Sequence, residues 1–453
     1  MDDLSIIIPV RLGDQSFIEL LTSLLKIKSE FEIIVIGPEF SENSTIESFN
    51  DPRLKFAYSP IGRALQQNKA LAHSTKNYLW FLHADSVVKN NALDVIKNSI
   101  QKNGDALYFF ELNFLDGLSM MKLNALGVHL RSNIFKMPFG DQGLFMSKRT
   151  FYKLGFFDEQ AQYGEDHLLV WKAHQKKIPV LSCQDSISTS PRKYMAHGWL
   201  KTTAKHLYLT YKQAAPEWLK SIQLKKSERK NTAVAIFVKT PGYSPVKSRL
   251  AATIGVPLAE EFFKLSLLAT KNSVLEAIKK SSGNLEAYWA VAEKECLNHP
   301  EWMDFEVISQ GEGGLGERLD HVYKTLLKKH DSVLLIGADL PQLDFNRLLE
   351  ANKFLSSGLN FVMGKTDDGG FYLFGGRTFI KKESWTSVTY SSEKTANELV
   401  DLLKDQADFL YLETSFDIDH ESDLKRLSDY THPNLLPAQD FIIRWAKNPS
   451  QIK

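Results

Sequence analysis

Two kinds of hydrophobic pattern take turns along the first half of the chain. Short apolar runs at 5–10, 32–37 and 78–82 are separated by stretches at 17–26 and 61–74 whose apolar residues recur every three or four positions. The first kind predicts strands buried on both faces and the second predicts amphipathic helices, so the order implies a mainly parallel sheet covered on both sides. The regularity then loosens through 107–114 and the loop Pro138-Phe139-Gly140-Asp141-Gln142-Gly143, before helical patterns return at 166–175 and 199–224.

The second half repeats this logic. Strands are expected at 233–238, 285–291, 305–309, 332–336, 360–363 and 409–412, and helices at 258–280, 315–329, 346–355 and 393–403. Between the halves, Lys225-Lys226-Ser227-Glu228-Arg229-Lys230-Asn231 is polar and lacks large apolar groups, which marks a boundary and predicts domains at 1–225 and 232–453. The halves share an architecture without residue-by-residue repetition.

Composition narrows the picture. A length of 453 residues is too great for one ordinary core, and a net charge of +1 argues against nucleic acid as a partner. Cys183 and Cys296 are the only cysteines, too few for a disulfide scaffold or a grouped zinc site, so a reducing cytoplasm is expected. The acidic Met1-Asp2-Asp3 leads straight into the first strand pattern without the features of a signal peptide. No apolar run approaches the roughly 20 residues that cross a bilayer, so at most peripheral membrane contact is expected.

Each half places an acidic residue just beyond a buried-strand pattern: Asp85 after 78–82 and Asp339 after 332–336. Ligands of open α/β sheets sit beyond the carboxyl ends of the strands, where a carboxylate can hold Mg2+ or Mn2+ against a nucleotide diphosphate. Sugar transfer also needs a base for the acceptor hydroxyl. In the first half Asp85, with His83 nearby, is the metal candidate, and Glu165-Asp166 at a helix start supplies the second carboxylate. The bland alternative is turn chemistry at Asp85 and helix capping at Glu165-Asp166.

The ordered set 5–10, Gly62-Arg63-Ala64-Leu65-Gln66-Gln67-Asn68, Leu82-His83-Ala84-Asp85, Gly140-Asp141-Gln142-Gly143 and Glu165-Asp166 resembles family 2 glycosyltransferases of the GT-A fold, over about residues 4–215. The resemblance implies that Asp85 binds metal and diphosphate and that Asp166, or Glu165 as the close alternative, is the base of an inverting displacement. It also implies donor contacts from Pro9, Arg63, Gln67 and His83, and acceptor contacts from Asp141 and Gln142. Where that family carries an acidic residue and a Gly/Ser-rich turn, this chain has Ile36-Gly37-Pro38-Glu39, with Glu39 as the substitute.

In the second half Lys239, Lys247 and Arg249 could meet phosphates, while Asp339 and Asp419 could hold the metal. With Gly337-Ala338-Asp339-Leu340-Pro341, Asp417-Ile418-Asp419 and Asp367-Asp368-Gly369-Gly370, the pattern over about 232–430 resembles two groups. One is a glycosyltransferase-like family that includes bacterial members associated with arsenosugar biosynthesis; the other comprises nucleotidyltransferases related to 2-phospholactate and molybdenum-cofactor guanylyltransferases. If sugar is transferred, Asp368 orients or activates the acceptor, with Gly369 and Gly370 beside it. If a nucleotidyl group is transferred, the three cations hold a nucleoside triphosphate.

His167, His174, His197 and His206 form no compact ligand set, and the basic-aromatic stretch around Trp199 to Trp218 reads as a solvated face that closes a domain. The sequence thus predicts two α/β, GT-A-like (Rossmann-related) domains. The first is a metal-dependent glycosyltransferase using a nucleotide sugar and a small-molecule or lipid-linked acceptor. The second uses a nucleotide sugar or a nucleoside triphosphate, unless one half serves as a non-catalytic nucleotide-binding scaffold.

Overall fold

A computed structural model describes residues 3–38, 49–114, 120–189, 208–219, 221, 231–406 and 409–449. The chain divides into two compact units, Met1–Glu228 and Arg229–Lys453. Among the described residues, no helix is long and apolar enough to cross a membrane.

In the N-terminal unit the strands are β1 (Leu4–Pro9), β2 (Glu32–Gly37), β3 (Leu54–Tyr58), β4 (Tyr78–Phe81), β5 (Ser86–Val87), β6 (Leu107–Phe114), β7 (Phe145–Ser147) and β8 (Val180–Thr189). They form one sheet in the order β3-β2-β1-β4-β7-β6-β8-β5. β1, β2, β3 and β4 run parallel, β6 pairs parallel with β8, and β7 is the reversed strand between β4 and β6. Every residue of β1 and β2 is buried, as the unbroken apolar runs require for strands covered on both faces. The core joins Ile6, Ile8, Ile33 and Val35 to Trp80, Phe110 and Phe145.

The C-terminal unit repeats the plan with β9 (Thr232–Val238), β10 (Leu285–Val291), β11 (Glu306–Ser309), β12 (Ser332–Gly337), β13 (Phe361–Thr366), β14 (Phe371–Gly376) and β15 (Phe409–Ser415). Their order is β11-β10-β9-β12-β14-β13-β15, with β14 antiparallel to both neighbours. Taken strand for strand, β4 corresponds to β12, so Asp85 and Asp339 follow equivalent strands. The long helix Val256–Lys280 buries an apolar stripe, and its Ser266 and Thr270 hydroxyls both donate to the Ala338 carbonyl, at 3.3 and 3.2 Å. That anchor fixes the backbone immediately before Asp339.

At the amino ends of the first sheet's strands, Glu32 is buried and accepts from Ser5 Oγ at 2.5 Å, Lys55 Nζ at 2.8 Å and the Thr75 N–H at 2.6 Å. Burial pushes its pKa up, but these bonds more than offset that and bring it down to about 2. A carboxylate lowered in the folded state stabilises it above the unfolded pKa, and that contribution fades as pH falls from about 4.5 towards 2. Glu32→Gln is expected to cost on the order of 2–3 kcal/mol at pH 7 in denaturant unfolding, and much less near pH 2. An equal cost at both pH values would contradict this.

Candidate functional site

The first site is assembled at the carboxyl ends of β1 and β4. Asp85 lies in the turn after β4, half-buried, and its carboxylate has no hydrogen bond or ion pair among the described residues. His83, two residues earlier, places Nε2 2.9 Å from Arg63 Nη1. Arg63 opens the helix Arg63–Lys69 and also reaches the far side of the pocket: its Nε donates to Glu165 Oε1, and its Nη2 lies 3.6 Å from Asp166 Oδ1. One guanidinium therefore spans the groups after β4 and the acid pair that begins the helix Glu165–Gln175. Burial works against the Arg63 charge, but Asp166, Glu165 and Asp141 more than offset it and raise its pKa.

The two acids are held differently. Asp166 Oδ2 accepts the Gly140 N–H and Oδ1 accepts the His167 N–H at 2.9 Å, whereas Glu165 Oε2 has no partner among the described residues. Burial would raise the Asp166 pKa, but Arg63, the Gly140 N–H and His83 hold it below the ordinary value. Behind the pair, His167 Nε2 accepts from Trp171 Nε1 at 3.1 Å, so its Nδ1 carries the proton given to Gln213 Oε1 at 2.8 Å. That neutral imidazole agrees with a pKa lowered chiefly by burial.

The loop Gly140–Gln142 is pinned by Gln142, fully buried, whose Oε1 accepts from Ser132 Oγ at 2.8 Å and the Phe139 N–H at 3.1 Å while Nε2 donates to the Phe110 carbonyl. Gln142 thus shapes the loop. A Cβ on Gly140 would stand 2.6 Å from Asp166 Oδ2 and 3.0 Å from His83 Nε2. Gly140→Ala is therefore expected to cost about 1–3 kcal/mol of stability by forcing the carboxylate away; an unchanged unfolding midpoint would show that the loop yields freely.

Of the other residues singled out from the sequence, Pro9 is buried at the end of β1, and Gln67 is buried with Oε1 unpartnered among the described residues. Glu39, His197 and His206 lie outside the described residues, as does most of the basic-aromatic stretch.

The second site sits at the equivalent edge of the C-terminal sheet. Lys247 Nζ lies 2.8 Å from Asp339 Oδ2 and 3.2 Å from Asp419 Oδ1, and Arg249 Nη1 donates to Asp419 Oδ2 at 2.9 Å. Burial works against the Lys247 charge, yet Asp339 and Asp419 more than offset it, so its pKa is raised; in return Lys247 holds Asp339 low. Among the described residues Lys239 donates only a long bond, 3.4 Å, to the Pro245 carbonyl. Asp368 Oδ1 accepts from Thr366 Oγ1 at 2.5 Å and the Gly370 N–H at 3.0 Å, in a turn closed by Gly369 at φ +88°. A Cβ on Gly369 would fall 2.0 Å from the Glu393 carbonyl oxygen, so only glycine fits there.

Asp417 joins this cluster, although in the sequence only its neighbour Asp419 stands out as a metal candidate. Burial first, then Asp339 and Asp368, push its carboxyl up to about 7. The Asp417-Ile418-Asp419 spacing beyond a strand was the available signal. Among the described residues of either unit, no three His, Cys, Asp or Glu side chains are arranged to hold a metal ion.

Residues 5–151 match the family described as glycosyl transferase family 2. That stretch of the N-terminal unit is a family 2 glycosyl transferase domain. Residues 277–392 match the family described as uncharacterized protein conserved in bacteria, DUF2064. No curated protein sequence is significantly similar to the chain.

Among solved structures, a Desulfovibrio desulfuricans G20 protein described as a candidate nucleotide-diphospho-sugar transferase is 22% identical over 48% of this chain and 97% of its own chain, with TM-score 0.40. S. aureus TarS 1-349 in complex with UDP-GlcNAc is 21% identical over 42% of this chain and 58% of its own, with TM-score 0.33. The mannosyltransferase PcManGT of Pyrobaculum calidifontis, in complex with GDP-Man and Mn2+, is 16% identical over 47% of this chain and 64% of its own, with TM-score 0.38.

Proposed function

We propose that the N-terminal unit transfers a sugar from a nucleotide sugar to an acceptor hydroxyl with inversion, in the cytoplasm. The observation that carries this reading is that one guanidinium, Arg63, joins the acid pair Glu165-Asp166 to His83, two residues before Asp85, whose carboxylate is unpartnered among the described residues. Asp85 fits a hard divalent cation: its oxygens are unspent, and Mg2+ or Mn2+ commonly takes one or two carboxylates and fills its other positions with phosphate oxygens and water. Such a cation, when bound, would neutralise charge on the departing diphosphate.

The protein's own groups supply the rest. Glu165 Oε2 is the proton acceptor for the incoming hydroxyl, because Asp166 has both oxygens committed to backbone N–H groups and is held low in pKa. Asp166 instead fixes the Gly140 loop against the helix start. Arg63 orients Glu165 and places positive charge beside the donor's phosphates, with His83 in contact. For the C-terminal unit, Lys239, Lys247 and Arg249 gathered at the corresponding sheet edge support a nucleotide-using transferase. Calorimetric titration of the full chain with UDP- and GDP-sugars tests the first reading: binding that strengthens with Mn2+ and loses this gain in Asp85→Asn is expected, and Mn2+-indifferent binding would oppose it.

A further inference from the structure

The two equivalent strand ends differ in what stands beside their carboxylates. Asp85 is unpartnered among the described residues, whereas Asp339 and Asp419 share one ammonium, Lys247 Nζ, at 2.8 and 3.2 Å. Both oxygens of Asp419 are committed, one to Lys247 and the other to Arg249. Lys247 and Arg249 bring two positive charges to Asp339 and Asp419, and a third acid, Asp417, faces the same ammonium with its carboxyl pushed up by burial, Asp339 and Asp368. A divalent ion added between Asp339 and Asp419 would meet the buried ammonium already there, which repels it.

The lysine is built into that position. Its side chain is only 4% exposed, while the carboxylates it joins are 48% and 34% exposed. Its backbone is left-handed, φ 45° and ψ 47°, at the start of the helix Ser248–Ile254, a conformation that costs a non-glycine residue roughly 1–2 kcal/mol. The ion pairs offset that cost. Asp419 is itself fixed, since its N–H and that of His420 donate to Asp423 Oδ2 at 3.0 and 2.7 Å. On the other side, the Ala338 carbonyl is anchored by Ser266 and Thr270.

We propose that Lys247 is the resident cation of the C-terminal unit, its ammonium taking the place between Asp339 and Asp419 that a divalent ion would otherwise fill. The residues there do not fit Mg2+ or Mn2+ while Lys247 is in position. The unit keeps the strand-end carboxylate of its N-terminal counterpart and replaces the ion with a side chain.

The test uses the full chain carrying Asp85→Asn, so that the first unit's carboxylate contributes nothing and a failure of the glycosyltransfer reading leaves the result intact. Free Mn2+ is followed by its electron paramagnetic resonance signal during titration. Bound Mn2+ is expected to be the same with and without Asp339→Asn. Replacing the ammonium by Lys247→Met is expected to create a site for about one additional Mn2+ per chain, lost again when Asp339→Asn is added. Loss of a bound Mn2+ on Asp339→Asn in the chain that keeps Lys247 would overturn the proposal, as would a folded Lys247→Met chain that gains no site. If Lys247→Met does not fold, the first comparison decides alone.

Discussion

Asp85→Asn is expected to lower nucleotide-sugar turnover by about 10³-fold, roughly 4 kcal/mol of transition-state stabilisation, while leaving the unfolding midpoint unchanged. The two halves of this expectation share a cause. Asp85 makes no bond to the described residues, so removing its charge breaks nothing in the fold and relieves some desolvation. Its whole contribution falls in the complex, where a carboxylate at the end of β4 can bind a cation that in turn meets the diphosphate. The loss should appear in kcat, with a smaller change in KM, because charge on the leaving diphosphate grows towards the transition state. Steady-state kinetics with an excess of donor, alongside thermal unfolding, checks both parts. A variant that keeps wild-type kcat would remove Asp85 from the chemistry.

The acid pair should separate in the same two measurements. Glu165→Gln keeps a carbonyl oxygen for Arg63, and Oε2 has no hydrogen bond among the described residues to lose, so its stability should stay within about 1 kcal/mol of wild type. Its turnover should fall about 10²- to 10⁴-fold, the usual worth of a positioned general base. Asp166→Asn cannot satisfy both N–H groups: its amide would point one donor at another, at Gly140 or at His167. A stability loss of about 1–3 kcal/mol is expected, with activity lost through the displaced loop. The pH dependence follows in sign. The lowered Asp166 pKa stabilises the fold above the ordinary aspartate range, and that contribution disappears as pH falls through and below it, so the Asp166→Asn penalty should shrink in acid. Equal stabilities for the two variants with turnover lost only in Asp166→Asn would reverse the assignment.

The strands that build both sites were readable because burial on two faces leaves an unbroken apolar run, as at β1, β2, β9 and β12. β3 was missed: Leu-Lys-Phe-Ala-Tyr at the sheet edge mixes polar and apolar positions, and Lys55 serves Glu32 rather than a core. β7 and β14 were missed for a different reason. Each is a reversed strand inserted between parallel ones, and that pairing depends on contacts far along the chain, which local periodicity does not record. β14 begins at Phe371, directly after the Asp367-Asp368-Gly369-Gly370 turn.

At the sites, residue type and order pointed to the carboxylates, yet their partners were hidden. Arg63 and Glu165 are 102 positions apart, and nothing local joins them. Lys247 was legible as a cation after the first strand of its unit, but its left-handed backbone and its position between Asp339 and Asp419 follow from tertiary packing.

The most direct measurement of the central claim is nucleoside diphosphate release by the full-length chain from a panel of UDP- and GDP-sugars with Mn2+ and a mixed acceptor pool, run beside Asp85→Asn and Asp339→Asn. The expected result is release from at least one sugar donor that Asp85→Asn abolishes and Asp339→Asn preserves. Release that survives Asp85→Asn and is lost in Asp339→Asn would place the transfer in the C-terminal unit and contradict the account.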